Sequence, residues 1–567
     1  MTEKLKPTDI VIVGLGAAGG VAALPLARAG LDVIGLEAGP WYSTDDFWPD
    51  EIRNDERNWL GRTKFNTELP TWRRTSTSPT EVAAKIPMSN GVGGTTIAYT
   101  AQIFRFVPWA FRIRSHVVER YGESAVPSDS TLADWPISYE DLEPYYDQVE
   151  RRIGVSGQAG NIGGELDPRG NVFEGPRSAP YPMPPLRRAG FLDLMSEAAT
   201  GRGWHPFPCP AAVNSVPYDG RAACTYCGFS SLNGCHVGAK GSTSLNVIPE
   251  AQATGNFTVR ANSRVVRVEV DAEGRASGVT YVSGGQEYFQ PAKVVLLASF
   301  TYENVRLMLL STSSAYPNGL SNNHGQVGRH YMTHAFPFSY GLFKGRALNL
   351  FSGAWAQGTA IDDWNADNFD HAGLGFIGGS SLVTTLGVKP IYAARTTSPS
   401  AGSWGPAWKS WLKEHANSVA SVGAHNLEVL SYDDHFLDLD PKATDAHGLP
   451  RLRVTFDLKA NEVAQAEFLN ERAVEWLEAA GATEIWSYPA YPLGINSHAF
   501  GGARMGTDPD ITVLDSWSMS HEVPNLGVLG GAGFVSASGH NPTGTIQALA
   551  WRTADHLVDT WSTVAGS

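Results

Sequence analysis

The sequence lacks several features that would assign it to common protein classes. It has four cysteines in 567 residues and no run of basic residues, and no apolar run approaches the roughly 18 residues that a membrane-spanning helix needs. With a formal net charge of −14, the missing basic runs argue against nucleic acid or an anionic membrane as a partner. The first apolar strand begins by about residue 9, which leaves too few residues before it for a secretory signal peptide. We therefore expect a cytoplasmic protein.

The composition that is present, 42% hydrophobic and 18% charged, is typical of a soluble globular protein, and the length predicts two or three domains. The strongest pattern is N-terminal. It predicts a buried strand at Ile10–Val13, a glycine-rich turn at Gly14–Gly19, a small-residue helix up to Gly30, and a second strand at Asp32–Leu36 that ends at Glu37. This is the complete dinucleotide-binding fingerprint in its usual strand–helix–strand context.

Each position of the fingerprint has a physical role. Gly14 permits the tight turn, Gly16 lets the backbone approach a pyrophosphate, and Gly19 lets the helix pack closely on the strand. The helix N-terminus supplies amide donors and positive partial charge to the phosphates. Glu37 is predicted to accept hydrogen bonds from the adenosine ribose.

Three further motifs identify the dinucleotide. They lie in Asn90–Thr100, whose glycines predict a backbone that passes against a flat or charged group, in Ser497–Gly506 and in Ser538–Ala550. Together they resemble the glucose–methanol–choline (GMC) flavoprotein oxidoreductases. Asp134–Tyr139 and Leu142–Tyr146 resemble the branch that contains pyranose oxidases, gluconate 2-dehydrogenases and bacterial FAD glucose dehydrogenases. The resemblance covers nearly the whole chain.

The resemblance implies an α/β fold, in which a Rossmann-like FAD-binding domain is joined to a discontinuous substrate-binding domain built on an antiparallel sheet. The implied boundaries are 1–108, 180–333 and 494–567 for the FAD-binding domain, 109–179 for a connecting segment and 334–493 for the substrate-binding domain.

The resemblance also implies FAD as the cofactor and a set of residues around it. The set is Gly14, Gly16, Ala17, Ala18, Gly19, Glu37, Ala38, Asn90, Gly91, Gly93, Gly94, Thr95, Ala98, Tyr99, Thr100, Val266, Ala298, Gly531, Ala532, Asn541, Pro542 and Thr543. Val266 belongs to a predicted pair of strands, Phe257–Arg260 and Val265–Val270. In pyranose oxidases a His bonds covalently to the flavin, two residues before a Thr. The aligned positions here are Ala98 and Thr100, and because Ala cannot form that bond, we predict a non-covalent flavin.

His498 is implied as the catalytic base, because GMC enzymes carry such a His six residues before the Arg of an Arg-Met-Gly motif, here Arg504. Asn541 is implied as its partner by the Asn-Pro-Thr motif, whereas the adjacent His540 falls on a position that is not catalytic in relatives. Alcohol oxidation removes the hydroxyl proton while hydride leaves the same carbon, and a neutral imidazole is a suitable base at working pH. Asn541 would bind the same oxygen and aim the C–H bond at the flavin.

All four cysteines, Cys209, Cys224, Cys227 and Cys235, lie in one short segment. Bacterial FAD glucose dehydrogenases hold an iron–sulfur cluster in a similar segment, but the Cys-x2-Cys-x7-Cys spacing here departs from theirs. The favoured interpretation is a relic loop with free or disulfide-linked thiols and no metal. The alternative is zinc or an iron–sulfur cluster, with Cys209 as the distant ligand.

The resemblance implies FAD-dependent oxidation of a secondary ring hydroxyl, at C3 or C2, of a sugar or glycoside to the keto-sugar. Because the altered cysteine motif removes an electron exit, O2 is expected as the acceptor and H2O2 as the product, as in glycoside 3-oxidases. One alternative is a dehydrogenase subunit that passes electrons to a quinone, a dye or a cytochrome, directly or through a cluster. A second alternative is a lyase of the same fold with a structural flavin.

Overall fold

The computed structural model describes residues 2–53, 69–82, 89–490 and 495–566. The predicted domain boundary at residues 493 and 494 lies outside these residues. The strands are β1 Glu3–Lys4, β2 Thr8–Val13, β3 Val33–Leu36, β4 Thr71–Arg73, β5 Glu81–Val82, β6 Asn161–Ile162, β7 Glu165–Leu166, β8 Pro206–Pro208, β9 Phe257–Arg260, β10 Arg264–Val270, β11 Ala276–Ser283, β12 Gln286–Leu297, β13 Met332–Ala335, β14 Phe338–Leu342, β15 Gly358–Ile361, β16 Leu382–Thr385, β17 Val419–Ala424, β18 Leu427–Glu428, β19 Phe436–Thr444, β20 Pro450–Thr455, β21 Glu484–Tyr488, β22 Ala499–Phe500 and β23 Leu526–Val528.

The α-helices lie between and around these strands. They are α1 Ala17–Arg28, α2 Pro108–Phe111, α3 Ile113–Tyr121, α4 Tyr139–Ile153, α5 Gly190–Gly201, α6 Val247–Ala253, α7 Thr301–Leu310, α8 Pro390–Arg395, α9 Gly405–His415, α10 Ala460–Ala479, α11 Thr543–Asp559 and α12 Trp561–Val564. Within the described ranges, no helix combines the length and the apolar character that crossing a membrane requires.

An eight-stranded mixed sheet carries the N-terminal fingerprint. Its strands follow the order β10-β11-β12-β2-β3-β9, and β1 and β23 also pair with β12. β2, β3, β9 and the C-terminal half of β12 are parallel, so their carboxyl ends meet at one edge. Ile10, Val11 and Ile12 have no exposed surface, as expected for a parallel strand that is covered on both faces.

One predicted pairing in this sheet was wrong. β9 does not pair with β10. It lies parallel to β3 at the edge of the sheet, whereas β10 pairs antiparallel with β11. The error arose because the apolar pattern of a segment indicates a strand but does not specify its neighbour.

A second, antiparallel sheet has six strands in the order β21-β14-β17-β16-β15-β8. Helix α10 packs on it and contributes the fully buried side chains of Trp476 and Leu477. β8 belongs to the range predicted for the FAD-binding domain, yet it forms the edge strand of this sheet. The predicted combination of a Rossmann-like sheet with an antiparallel sheet is therefore present.

A small three-stranded sheet, in the order β18-β13-β22, positions the predicted base. β13 pairs antiparallel with β22, with Met332 opposite Phe500 and Thr333 opposite Ala499. His498 directly precedes β22, so this sheet sets its position relative to β13.

Candidate active site

A large cavity lies where the parallel strand ends meet the glycine-rich segment 90–100 and His498. About 1310 Å³ of space in and at the mouth of this cavity, part of it open to solvent, is not filled by protein atoms. Most of the predicted cofactor residues line it, namely Gly14, Gly16, Ala17, Ala18, Glu37, Ala38, Asn90, Gly94, Thr95, Tyr99, Ala298, Gly531, Pro542 and Thr543.

The two glycine-rich segments contact each other through their backbones at this cavity. Gly16 precedes the first turn of α1. A Cβ added to Gly94 would lie 2.7 Å from the Cα of Gly16. Gly14 has a φ of 92°, and a Cβ there would lie 2.8 Å from the Ala298 carbonyl oxygen. Side chains at Gly14 and Gly94 would clash with backbone, so glycine at both positions lets the end of β12 and the second glycine-rich segment approach the turn before α1. Gly14, Gly16 and Ala17 line the cavity at the N-terminus of α1, and this backbone cradle fits the pyrophosphate of FAD.

Glu37 organises the same region as well as lining it. Its carboxylate accepts hydrogen bonds from the backbone N–H groups of Leu15 at 3.0 Å, Gly39 at 2.9 Å and Gly91 at 3.1 Å. The sequence predicted only a ribose ligand here. The structure adds a second role, because one buried carboxylate holds the fingerprint loop, the end of β3 and the second glycine-rich segment together.

Eight predicted cofactor residues do not line the cavity: Gly19, Gly91, Gly93, Ala98, Thr100, Val266, Ala532 and Asn541. Gly19 has its predicted packing role, because a Cβ there would lie 2.0 Å from the Gly14 carbonyl oxygen. Arg264 and Val265 line the cavity and Val266 does not, and the pairing of β10 with β11 is irregular between Val265 and Arg267.

Sequence reasoning missed the part of the cavity wall that follows β12. Ser299 and Phe300 line it, and the Ser299 hydroxyl donates to the Val13 carbonyl at 2.9 Å. Phe300 has a φ of 77°, a conformation that non-glycine residues rarely adopt, directly before α7. The sequence signal that could have predicted this wall is the end of β12, an apolar strand followed by the small residues Ala298 and Ser299, as β2 is followed by glycine.

His498 lines the cavity, and its ring packs against the His334 imidazole and the Phe336 ring. Its Nδ1 lies 2.9 Å from Nδ1 of His334, which is fully buried. Asn496 accepts a hydrogen bond from the His498 backbone N–H at 3.0 Å. Burial lowers the pKa of His498 to about 4, so the ring is neutral at physiological pH.

Asn541 lies beside the cavity with its amide engaged by backbone. Its Oδ1 accepts from the Phe104 N–H at 3.1 Å, and its Nδ2 donates to the Gln102 carbonyl. An amide Nδ2 has two hydrogens, so one remains for another acceptor. His498 and Asn541 therefore have different surroundings. The His498 ring lines the cavity, whereas the Asn541 amide holds the backbone of residues 102–104.

His540, which the sequence interpretation set aside, is the centre of a buried polar cluster. Its Nε2 faces the Asp362 carboxylate, and its Nδ1 lies 2.8 Å from the Arg105 carbonyl oxygen. Asp362 also accepts from Asn171 Nδ2 at 2.6 Å and from the Ser381 hydroxyl. The consecutive residues His540 and Asn541 thus both bind the segment that follows Ala101.

The cysteines do not form one group. All four are free thiols, and Cys209 packs with Phe104 and Phe207. Burial, together with the nearby Cys235 and Cys227, raises the pKa of the Cys224 thiol to about 11. Among the residues that the structure describes, no set of three or more His, Cys, Asp or Glu side chains is arranged to hold a metal ion.

Lys240 connects the cysteine loop to the cofactor cavity. Its buried ammonium donates to the carbonyls of Tyr99 and Ser230, each at 2.9 Å, and to that of Asn233 at 2.5 Å. Burial lowers the pKa of Lys240 to about 7. The loop is thus cross-linked to the second glycine-rich segment by one side chain.

Comparison with known proteins gives the family and confirms the fold. Models of the GMC oxidoreductase family match residues 193–336 and 434–550. The chain is 35% identical to the gluconate 2-dehydrogenase flavoprotein of Pantoea cypripedii, over 98% of this chain and 94% of that protein. It is 28% identical to the fructose dehydrogenase large subunit of Gluconobacter japonicus, over 99% of both. A variant of formate oxidase from Aspergillus oryzae RIB40 shares the fold, with a TM-score of 0.64, 15% identity and 99% coverage of both chains.

Proposed function

Because the chain belongs to the GMC oxidoreductase family and is an FAD-dependent oxidoreductase that acts on CH–OH groups, we propose that it oxidises a secondary ring hydroxyl of a sugar or glycoside. The product is the keto-sugar, with C3 or C2 as the reacting carbon. The single observation that carries the proposal is the neutral imidazole of His498 at the wall of the cofactor cavity. The names of the relatives, a gluconate dehydrogenase flavoprotein and a fructose dehydrogenase subunit, support a sugar-type substrate.

The residues that line the cavity would hold FAD, which would supply the hydride acceptor for the substrate carbon. His498 accepts the hydroxyl proton, because its imidazole lines the cavity and is unprotonated at working pH. Asn541 donates its remaining Nδ2 hydrogen to the substrate oxygen. Since its amide is held by the Gln102 and Phe104 backbone, it would orient that oxygen at little entropic cost.

We further propose that O2 accepts the electrons and is reduced to H2O2. Two features of the cysteine loop support this choice over transfer through a cluster. Cys209, the predicted distant ligand, packs in an apolar cluster with Phe104 and Phe207. The Lys240 ammonium donates to the Ser230 and Asn233 carbonyls within the cysteine loop. The alternative is a dehydrogenase that passes electrons to a quinone, a dye or a cytochrome. It is favoured by the names of both relatives.

Anaerobic stopped-flow mixing tests the proposal. The FAD-loaded protein is mixed with a panel of monosaccharides and of O- and C-glycosides, and air is admitted after the flavin absorbance bleaches. We expect bleaching by at least one sugar, reoxidation within the turnover time, and one H2O2 per keto-sugar formed. Bleaching with slow reoxidation in air would favour the dehydrogenase, and absence of bleaching by every sugar would exclude sugar oxidation.

The flavin is proposed to be bound non-covalently, because Ala98 stands where a covalent relative carries His. Acid precipitation of the holoenzyme should leave the yellow flavin in the supernatant. Flavin that stays with the pellet would contradict this proposal. An iron determination on the same sample separates the two interpretations of the cysteine loop.

A further inference from the structure

His334 lies directly beside the predicted base, and the sheet register explains why. β13 and β22 pair Met332 with Phe500 and Thr333 with Ala499, so the next position in the register sets His334 opposite His498. Side chains opposite each other in an antiparallel pair approach to contact distance. The two Nδ1 atoms are 2.9 Å apart, and the rings are nearly perpendicular at 83°.

Asn496 fixes the same pair from the backbone side. Its Nδ2 donates to the His334 carbonyl at 2.7 Å, and its Oδ1 accepts from the His498 N–H at 3.0 Å. The His334 ring is fully buried, and Phe500 packs against it at a centroid distance of 4.9 Å. The two residues are therefore held in place by Asn496 and Phe500, and these contacts maintain the distance between the two Nδ1 atoms.

The proton count at this contact limits the tautomers. Two facing nitrogens at hydrogen-bond distance need one N–H and one lone pair, so only one of the two rings carries a proton on Nδ1. Burial, with the neighbouring His498 imidazole, lowers the pKa of His334 well below its ordinary value, so this ring is neutral. Within the described residues, Nε2 of His334 is buried without a hydrogen-bond partner, so the contact with Nδ1 of His498 is the hydrogen bond that this ring makes.

We propose that His334 is a positioning residue, which accepts the Nδ1 proton of His498 and so directs the Nε2 lone pair of His498 into the cavity. This inference rests on the proposed function, in which His498 is the base. In the opposite tautomer, His334 would donate to His498, and His498 would present an N–H to the cavity. Such a ring would donate a hydrogen bond to the substrate hydroxyl and could not accept its proton.

The tautomer is measured without turnover. In the holoenzyme with ¹⁵N-labelled histidine, two-bond ¹H–¹⁵N correlations distinguish an Nδ1–H ring from an Nε2–H ring, and His498→Gln identifies the signals of residue 498. We expect Nδ1–H with an unprotonated Nε2 at neutral pH. An Nε2–H pattern for His498 would overturn the proposal. The result is independent of whether any sugar is oxidised, so it is separable from a failure of the proposed function.

Two substitutions test the consequence for the rate. Asn at position 334 places an amide oxygen close to the position of Nδ1, whereas Leu offers no acceptor. We expect His334→Asn to keep the rate of flavin reduction within about tenfold of the parent and His334→Leu to lower it about 100-fold or more, with the FAD content unchanged in both. Equal rates in the two variants would overturn the proposal. If His334→Leu fails to fold, the NMR measurement on the parent protein decides.

Discussion

Nε2 of His540 lies 2.9 Å from a carboxylate oxygen of Asp362, and both side chains are almost completely buried, with 2% and 0% exposure. Because the other ring nitrogen faces the Arg105 carbonyl oxygen, each nitrogen has an acceptor for a proton, and this arrangement favours an imidazolium. The Asn365 amide nitrogen also lies near Nε2, at 3.1 Å. Burial opposes this charge, but the Asp362 carboxylate outweighs burial and raises the pKa of His540. For Asp362, burial is likewise outweighed by His540, and its pKa is lowered.

Asp362→Asn should therefore strongly destabilise the protein. It leaves a buried imidazolium without its counter-ion, a type of change that costs about 3–5 kcal/mol. The thermal unfolding midpoint of the holoenzyme measures the effect. The neighbouring Asp363 supplies the control, because it pairs with His205, whose side chain is 48% exposed. Asp363→Asn should cost at most about 1 kcal/mol, and equal losses in the two variants would contradict the buried ion pair.

The N-terminal part of this site could be predicted from the sequence because its determinants are local. A turn glycine, a small-residue helix and a second apolar strand follow one another within Ile10–Glu37, and each shows in its own residues. The carboxylate of Glu37 was also predicted, but its bond to the Gly91 N–H joins segments 54 residues apart. No local pattern indicates which distant amide a buried carboxylate accepts from.

The base and its neighbour show the same limit more clearly. The motif around His498 predicted a base, whereas His334 became relevant only through the pairing of β13 with β22, 164 residues away in sequence. Asn541 was predicted from its motif as a substrate contact, and the structure adds its bonds to the 102–104 backbone. Motifs thus indicate which residue types the chemistry needs, and the sheet register determines what surrounds them.

Gly94→Ala should weaken FAD binding by at least about tenfold. The new Cβ would lie 2.7 Å from the Gly16 Cα, so the two glycine-rich segments would have to separate at the pyrophosphate cradle. Titration of the apoprotein with FAD, followed by flavin fluorescence, measures the loss. Gly325→Ala is a matched control, since Gly325 has a comparable φ of 68° but a Cβ added there would meet no described atom within 4 Å. It should cost about 1–2 kcal/mol of stability through backbone strain and leave the affinity for FAD unchanged.

The rate of flavin reduction should remain constant from neutral pH downward and fall to half near pH 4. Burial lowers the pKa of His498 to about 4, and protonation below that value removes the lone pair that accepts the substrate proton. Stopped-flow pH jumps on the holoenzyme measure the profile before acid unfolding intervenes. An inflection near the ordinary value of about 6.5 would assign the base to a more exposed group.

Stopped-flow pH jumps on the His498→Gln variant provide the control for this pH profile. The rate of flavin reduction should fall by about 10²–10⁴-fold, because the general base is lost, and the inflection near pH 4 should disappear. FAD content should match the parent, since the backbone at residue 498 is held by Asn496 and β22. A reduction rate near that of the parent would refute the role of His498.

Stability should decrease as the pH falls from about 6.5 towards 4, because several histidines are buried in their neutral form. Burial lowers the pKa of His330 to about 3 and those of His425, His435 and His498 to about 4. In this range the unfolded chain binds these protons and the folded chain does not. Each such histidine therefore lowers the free energy of unfolding by up to about 1.4 kcal/mol for each pH unit.

Glu428 has the opposite sign, because burial raises its pKa to about 8, so above about pH 4.5 the folded chain holds a proton that the unfolded chain has released. Glu174 and Glu462, whose pKa values burial also raises, act in the same direction. His540 adds no slope in this range, because its pKa is raised and the ring is protonated in both states below about 6.5.

The thermal midpoint of the holoenzyme between pH 7 and pH 4.5 measures this sensitivity, and His435→Phe tests its cause. His435 is buried between the rings of Tyr432 and Phe456, at centroid distances of 5.0 Å and 4.7 Å, so an apolar ring is compatible with its surroundings. This variant should lose less stability over that pH range than the parent, because one fewer proton is taken up on unfolding. His324→Phe, at a side chain that is 43% exposed, should leave the pH dependence as it is in the parent. An unchanged slope in His435→Phe would mean that groups other than this histidine determine the acid sensitivity.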